Sequence, residues 1–220
     1  MRESPNARLD SAEALAGIIP VSRETQQALE AYAATLRRWS GAINLVARST
    51  LDALWQRHML DSLQLLPLIQ AEAIPEGPAE TGQAPAILDL GSGAGFPGLV
   101  LAIAGAGRVD LVESDRKKAG FLREVARQTA APATVHNRRI EDLPPRSADF
   151  VTARALAPAA QLLSWAAPHL AAHTLCLFHK GREAQGELTR LPREVQDRCE
   201  LLPSLTDPEA RILRIRGPWT

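Results

Sequence analysis

The chain has 220 residues, 45% of them hydrophobic, enough to bury one substantial α/β core. It is too short for a full dinucleotide-binding domain plus a separate catalytic domain, which argues against a dehydrogenase. With 25 basic against 25 acidic residues the net charge is zero, so any affinity for nucleic acid must come from local patches.

Two cysteines, Cys176 and Cys199, give no disulfide framework, and the expectation is a reduced, cytoplasmic protein. No apolar run follows Met1 and none reaches membrane-spanning length, so neither a signal peptide nor a membrane span is expected. Residues 1–8 are polar, carry Pro5 and read as a loose N-terminus. A short apolar-periodic segment runs from Leu9 to Ile19 and stops at Pro20. Ser22 is a good N-cap, and Ala28, Leu29, Tyr32, Leu36 and Trp39 follow at helical spacing up to Gly41. Leu51 to Ile69 reads as one further helix, with Leu54, Trp55, His58, Met59, Ser62, Leu63 and Leu66 along one side. Residues 1–70 therefore form a helical arm, 71–85 a Pro- and Gly-rich linker, and 86–220 the core. Within the arm, Arg57, His58, Asp61 and Ser62 lie about one turn apart; this is either a local ion pair or a substrate-facing patch.

Residues 86–98 organise the remainder. The apolar run Ala86-Ile87-Leu88 leads into Asp89, then Gly91, Gly93 and Gly95 alternate, and Pro97-Gly98 opens an apolar helical pattern. That order reads as buried strand, tight turn and helix start, with glycines permitting close backbone approach by a nucleotide-like ligand. Gly93-x-Gly95-x-x-Gly98 formally matches the dinucleotide fingerprint, and Glu113 lies twenty residues beyond Gly93, where a carboxylate would hold a ribose diol. Two features favour S-adenosylmethionine. Asp89, at the strand's carboxyl end, is placed to face a cationic methionine end. The Asp-x-Gly-x-Gly-x-Gly turn also looks like the first motif of Rossmann-like methyltransferases.

Strands and helices then alternate: Val109–Glu113, Arg116–Ala130, Ala133–His136, Ala148–Ala153, Pro158–Leu170 and Thr174–Lys180. This argues a doubly wound, mostly parallel sheet with helices on both faces. Glu200–Leu202 and Arg211–Arg216 read as a closing antiparallel hairpin. Ligands bind outside the carboxyl ends of such strands, which puts Asp89 to Gly95, Glu113, Ile140, Glu141, Arg154 and Lys180 on one rim. There Ile140 suits an adenine face and Glu141 its edge, while Arg154 faces whatever substrate approaches the methyl group. His169 and His173 have a metal-pair spacing without an intervening glutamate, so no metal is expected. Cys176 reads as core.

Several pieces occur together in one known family. Trp39-Ser40 with Asn44-Leu45-Val46, Arg57-His58-x-x-Asp61-Ser62, Asp89 to Gly98 with its Gly-Phe-Pro-Gly end, Val112-Glu113-Ser114 and Lys117-Lys118 contribute. So do Phe121-Leu122, Arg139-Ile140-Glu141, Ala153-Arg154-Ala155 and Lys180-Gly181. On these motifs, from about Gln27 to Gly181, the chain resembles bacterial small-subunit ribosomal RNA methyltransferases of the GidB type. Ser40 and Val46 stand where that family usually has asparagine and threonine. The resemblance implies a Rossmann-like class I fold and methyl transfer from S-adenosyl-L-methionine to N7 of a guanine, the 530-loop guanine of 16S rRNA. It implies 16S rRNA or a small-subunit precursor as partner, and a monomer. By position it places Gly91, Phe96, Ile140, Glu141 and Arg154 at the cofactor and Glu113 on its ribose; Arg57, His58, Asp61, Ser62 and Lys180 are expected towards substrate. The rival readings are a methyltransferase of the same fold acting on a small molecule or protein, and a catalytically silent, cofactor-sensing RNA-binding module.

Overall fold

The computed structural model describes residues 9–72 and 84–219. The expected loose N-terminus and most of the expected linker lie outside the described residues. Ser11 caps α1 (Ala12–Ala16), and Ser22 caps α2 (Arg23–Ser40) by accepting from the Thr25 amide at 3.2 Å. Leu29, Tyr32 and Leu36 of the apolar stripe of α2 are fully buried, and Ala28 and Trp39 partly so.

The single helix expected over Leu51–Ile69 is broken into pieces. After α3 (Arg48–Leu51), residues Trp55–Leu60 form a π-helical turn, followed by α4 (Asp61–Leu63) and α5 (Leu65–Glu72). The Asp61 amide reaches back five residues to the Gln56 carbonyl as well as to that of His58. Such widened turns recur at functional sites, and this one carries Arg57 and His58.

Five parallel strands follow: β1 (Ala86–Leu90), β2 (Arg108–Val112), β3 (Ala133–His136), β4 (Ala148–Arg154) and β5 (Leu170–Lys180). Their crossovers include α6 (Gly98–Ile103), α7 (Arg116–Thr129) and α8 (Ala159–Ala166). The helix expected to reach Leu170 ends early, because Pro168 cannot donate to the ladder; a 3₁₀ turn over Ala167–His169 feeds β5 four residues sooner than expected. The polar stretch past Gly181, where no element was expected, holds the short helices α9 (Ala184–Leu188) and α10 (Arg193–Gln196). The closing hairpin is β6 (Cys199–Pro203) and β7 (Arg211–Arg216), so the sheet order is β3-β2-β1-β4-β5-β7-β6, with β7 antiparallel to both neighbours.

One buried cluster joins the helical arm to the sheet: Leu29, Tyr32, Leu36 and Leu63 pack in the same core as Leu99, Leu101 and Phe121. A second, with Leu90, Val151, Leu162 and Phe178, fills the other face. The chain reverses its winding between β1 and β4, so the turns after these two strands meet at a switch point, where open α/β sheets bind ligands. No described helix is long and apolar enough to cross a membrane.

Candidate active site

The glycine turn is shaped from below and from the side. Gly91 has φ +64°, and a Cβ there would lie 2.5 Å from Leu156 Cδ1, in the loop after β4; only glycine lets the two switch-point loops touch. Gly95, with φ +99°, serves the arm instead: its missing Cβ leaves room for the Tyr32 hydroxyl, 2.8 Å from where that atom would stand. Tyr32 donates to the Ala94 carbonyl and stacks on Phe96 at 5.4 Å between centroids. A helix of the arm thus braces the turn directly, a link no local sequence signal announces.

Glu113 follows the last residue of β2 and is 8% exposed. One carboxylate oxygen accepts from the Gly93 amide at 2.9 Å and the other from the Asp115 amide at 2.7 Å. The Asn137 side chain donates to its carbonyl at 2.9 Å. Each carboxylate oxygen keeps a lone pair, so the group is oriented but not exhausted as an acceptor. A cavity of about 400 Å³ opens beside it, lined by Gly91, Gly93, Phe96, Glu113, Ile140, Glu141 and Arg154. Lys118, Arg138, Arg139 and Trp165, which the sequence reading did not single out for this site, also line it.

Two residues expected at the cofactor do not line that cavity. Gly95 packs against the arm, as described. Asp89 is fully buried beneath the turn, where its Oδ1 accepts from Thr152 Oγ1 at 2.7 Å and its Cβ would sit 2.6 Å from any Cβ at Gly98. Burial pushes its carboxyl up to about 6, against the pull of the Thr152 hydrogen bond. Its Oδ2 has no partner among the described residues. Asp89 faces the sheet interior because its neighbours Thr152 and Gly98 are small enough to admit it.

Arg154 is the junction of the site. Its Nη1 donates to the Arg57 carbonyl at 2.9 Å and to Asp61 Oδ2 at 3.2 Å, its Nη2 bonds His58 Nδ1 at 2.8 Å, and its guanidinium lies 4.9 Å from the Phe96 centroid. His58 stacks on Phe96 at 5.0 Å, with its Nε2 2.9 Å from the Thr50 hydroxyl. Because Arg154 can only donate, Nδ1 is the acceptor and Nε2 carries the proton of a neutral imidazole. Burial, with Arg154 beside it, lowers the His58 pKa to about 4, which fits. Ala155, at φ +49°, then turns the chain out of β4.

A second cavity of about 330 Å³ shares Arg154 and Ala155 with the first. Arg57, His58, Asp61 and Lys180 of the expected substrate group line it; Ser62 does not, being fully buried with its hydroxyl on the His58 carbonyl at 2.6 Å. The Arg57 side chain is exposed and makes no ion pair with Asp61, whose carboxylate goes to Arg154 instead. Lys180 is buried and tied to Glu187 at 2.6 Å and to the Ala157 carbonyl at 2.9 Å, so it holds the loop after β4. His169 and His173 do not converge: the first is buried and the second pairs with Asp149 at 2.7 Å.

A family model described as rRNA small subunit methyltransferase G matches residues 25–207. The chain belongs to that family. It is 54% identical over 196 residues to the ribosomal RNA small subunit methyltransferase G of Paramagnetospirillum magneticum, covering 89% of this chain and 90% of that protein. To the protein of the same name from Cereibacter sphaeroides it is 43% identical over 222 residues, covering 99% and 98%. The GidB-type resemblance of the Arg-His-x-x-Asp-Ser and Gly-Phe-Pro-Gly motifs is thereby confirmed. Among solved structures, the fold is similar to the O-methyltransferase TomG of Streptomyces achromogenes in complex with SAM, with a TM-score of 0.60, 16% identity, and coverage of 99% of this chain and 100% of that one. A methyltransferase from Geobacter sulfurreducens is similar at a TM-score of 0.56 and 15% identity, covering 96% and 98%. These likenesses place the methyltransferase G sheet in the class I methyltransferase fold.

Proposed function

We propose that this chain transfers a methyl group from S-adenosylmethionine to N7 of a guanine in small-subunit ribosomal RNA, the 530-loop guanine that the family resemblance implies. The observation that carries the reading is the position of Arg154, shared by two adjoining cavities of unlike character. S-adenosylmethionine fits the first. Gly93 leaves open space that a side chain would fill, Glu113 presents acceptors for a ribose diol, and buried Ile140 offers an apolar wall for adenine. When bound there, the cofactor supplies an electrophilic methyl group.

Three titratable groups of the second cavity are already engaged, which favours a nucleophile that needs no deprotonation. His58 has both ring nitrogens engaged, Asp61 is held by Arg154, Gln64 and Thr206, and Lys180 is ion-paired. Guanine N7 carries an in-plane lone pair and no proton. The residues' work is then positioning, with no general base required. Arg154 would block the attacking lone pair if it gripped N7 and O6 together, so its hydrogen bonds to Asp61 and His58 hold it as an organiser of the wall between the cavities. Because the base must leave its stack to enter, an unpaired guanine is preferred to a duplex one.

Single-turnover transfer of labelled methyl into unmethylated small subunits tests this. Incorporation into RNA is expected, at a rate nearly flat between about pH 6.5 and 9, unlike the bell of acid–base catalysis. A rate rising tenfold per pH unit would reveal a required deprotonation and exclude N7. Transfer only to a metabolite or protein would favour the rival methyltransferase reading, and absence of any turnover the silent binding module.

A further inference from the structure

The connection between β6 and β7, in the part of the chain to which the sequence reading gave no role, is latched to the helical arm. Gln64 of the arm accepts from the Leu205 amide at 2.8 Å, and Thr206 Oγ1 donates to Asp61 Oδ1 at 2.7 Å. Arg211 Nη1 donates to the Pro208 and Ala210 carbonyls at 2.6 and 2.7 Å. These contacts hold Thr206, Asp207, Ala210 and Arg211 as a wall of the second cavity, to which the arm adds Thr50 and Arg57. Its volume of about 330 Å³ lies in the range of small-ligand sites, roughly 300–1,000 Å³.

Asp207 is the odd member of this lining. Its Oδ1 accepts from the Glu209 amide at 2.9 Å, and its second oxygen has no hydrogen-bond partner among the described residues. A carboxylate in a site for a polyanion repels phosphate and has to be matched by donors on the ligand. Guanine presents two adjacent donors, N1–H and the exocyclic N2 amine, whereas the pairing edges of adenine, cytosine and uracil do not. Gripped along that edge, guanine keeps N7 free. We infer that the second cavity receives the target nucleotide and that Asp207 selects guanine by accepting from N1–H and the N2 amine, with Arg57 and Arg211 towards the flanking phosphates. This rests on the RNA-methylation reading above.

The test compares small subunits carrying guanine at the target with subunits carrying inosine there, which lacks the N2 amine. With the full-length wild type, inosine should lower kcat/KM about tenfold or more, the scale of one lost base contact. Asp207→Asn keeps an acceptor for the Glu209 amide but sets a donor against guanine. It should lose a similar factor on guanine, show no further loss on inosine, and bind S-adenosylmethionine with unchanged affinity by calorimetry. Asp207→Ser, which can also accept from that amide, should behave alike and guards against a folding defect in the first variant. An inosine penalty equal in wild type and both variants would overturn the assignment while leaving RNA methylation intact. Failure of the wild type to methylate even the guanine subunits would overturn the underlying function, and the assignment with it.

Discussion

Replacing Glu113 should damage two properties that a simple ribose contact would not link. In the structure its carboxylate holds the Gly93 and Asp115 amides, so Glu113→Ala strips both N–H groups of their acceptor. Each lost bond costs about 1–3 kcal/mol when the donor is left dry, and less at Gly93, which faces a cavity that water can enter. A total near 2 kcal/mol corresponds to a fall in Tm of about 4–8 °C for a chain of this size. Losing the charge-assisted bonds to the ribose adds about 1.5–3 kcal/mol on the ligand side, a rise in Kd of roughly 10- to 150-fold. Glu113→Gln separates the two effects, because its one remaining acceptor oxygen is taken by a backbone amide. It should recover about half of the Tm loss and little of the affinity. Scanning calorimetry and titration with S-adenosylmethionine read both quantities on the same samples. A Glu113→Ala protein with weakened binding and an unshifted Tm would refute the bracing role; unchanged binding would refute the cofactor assignment.

His58 makes stability depend on acid. Its folded pKa of about 4 lies below the ordinary value of 6.5, so between the two the unfolded chain binds the extra proton. Its contribution is complete above about pH 6.5 and is lost as pH falls through about 4, amounting to roughly 3 kcal/mol; urea unfolding across this window should show a shallower acid limb in His58→Asn. Gly93→Val should abolish S-adenosylmethionine binding yet leave the protein folded, since a Cβ there meets no protein atom closer than 3.8 Å and the side chain enters the cavity, although φ of +58° strains it. Arg57→Ala should weaken RNA methylation at unchanged cofactor affinity and reduce the salt slope of RNA binding by about 1. Equal loss of both affinities would instead make Arg57 part of the fold.

Local signals were legible wherever local chemistry dictates them. Ser22 caps its helix because its hydroxyl reaches an amide three residues on, and the Asp89–Gly98 run specifies strand, turn and helix through backbone conformation alone. The place of Glu113 at the end of β2 is readable from its spacing, since the βαβ unit has a characteristic length. The arm's second helix was misread because its apolar periodicity is satisfied equally by a widened turn, stabilised by Arg154 from a strand about a hundred residues away. Asp89 lies at the strand end, as its spacing predicts, but its side chain turns inward to Thr152 rather than into the cavity. Lys180 and Asp61, expected towards substrate, line the second cavity, yet the partners they meet, Glu187 and Thr206, lie in a polar tail where short helices and a loop leave no periodic trace.

The most direct measurement of the central claim is the chemical identity of the methylated position. RNA recovered from small subunits methylated by the full-length protein is reduced with borohydride and treated with aniline, which cuts the strand only where a guanine bears a methyl group on N7. Scission at one unpaired guanine, carrying all of the transferred label and absent without enzyme, is the expected result. Labelled RNA that resists scission would place the methyl group elsewhere and contradict N7 methylation.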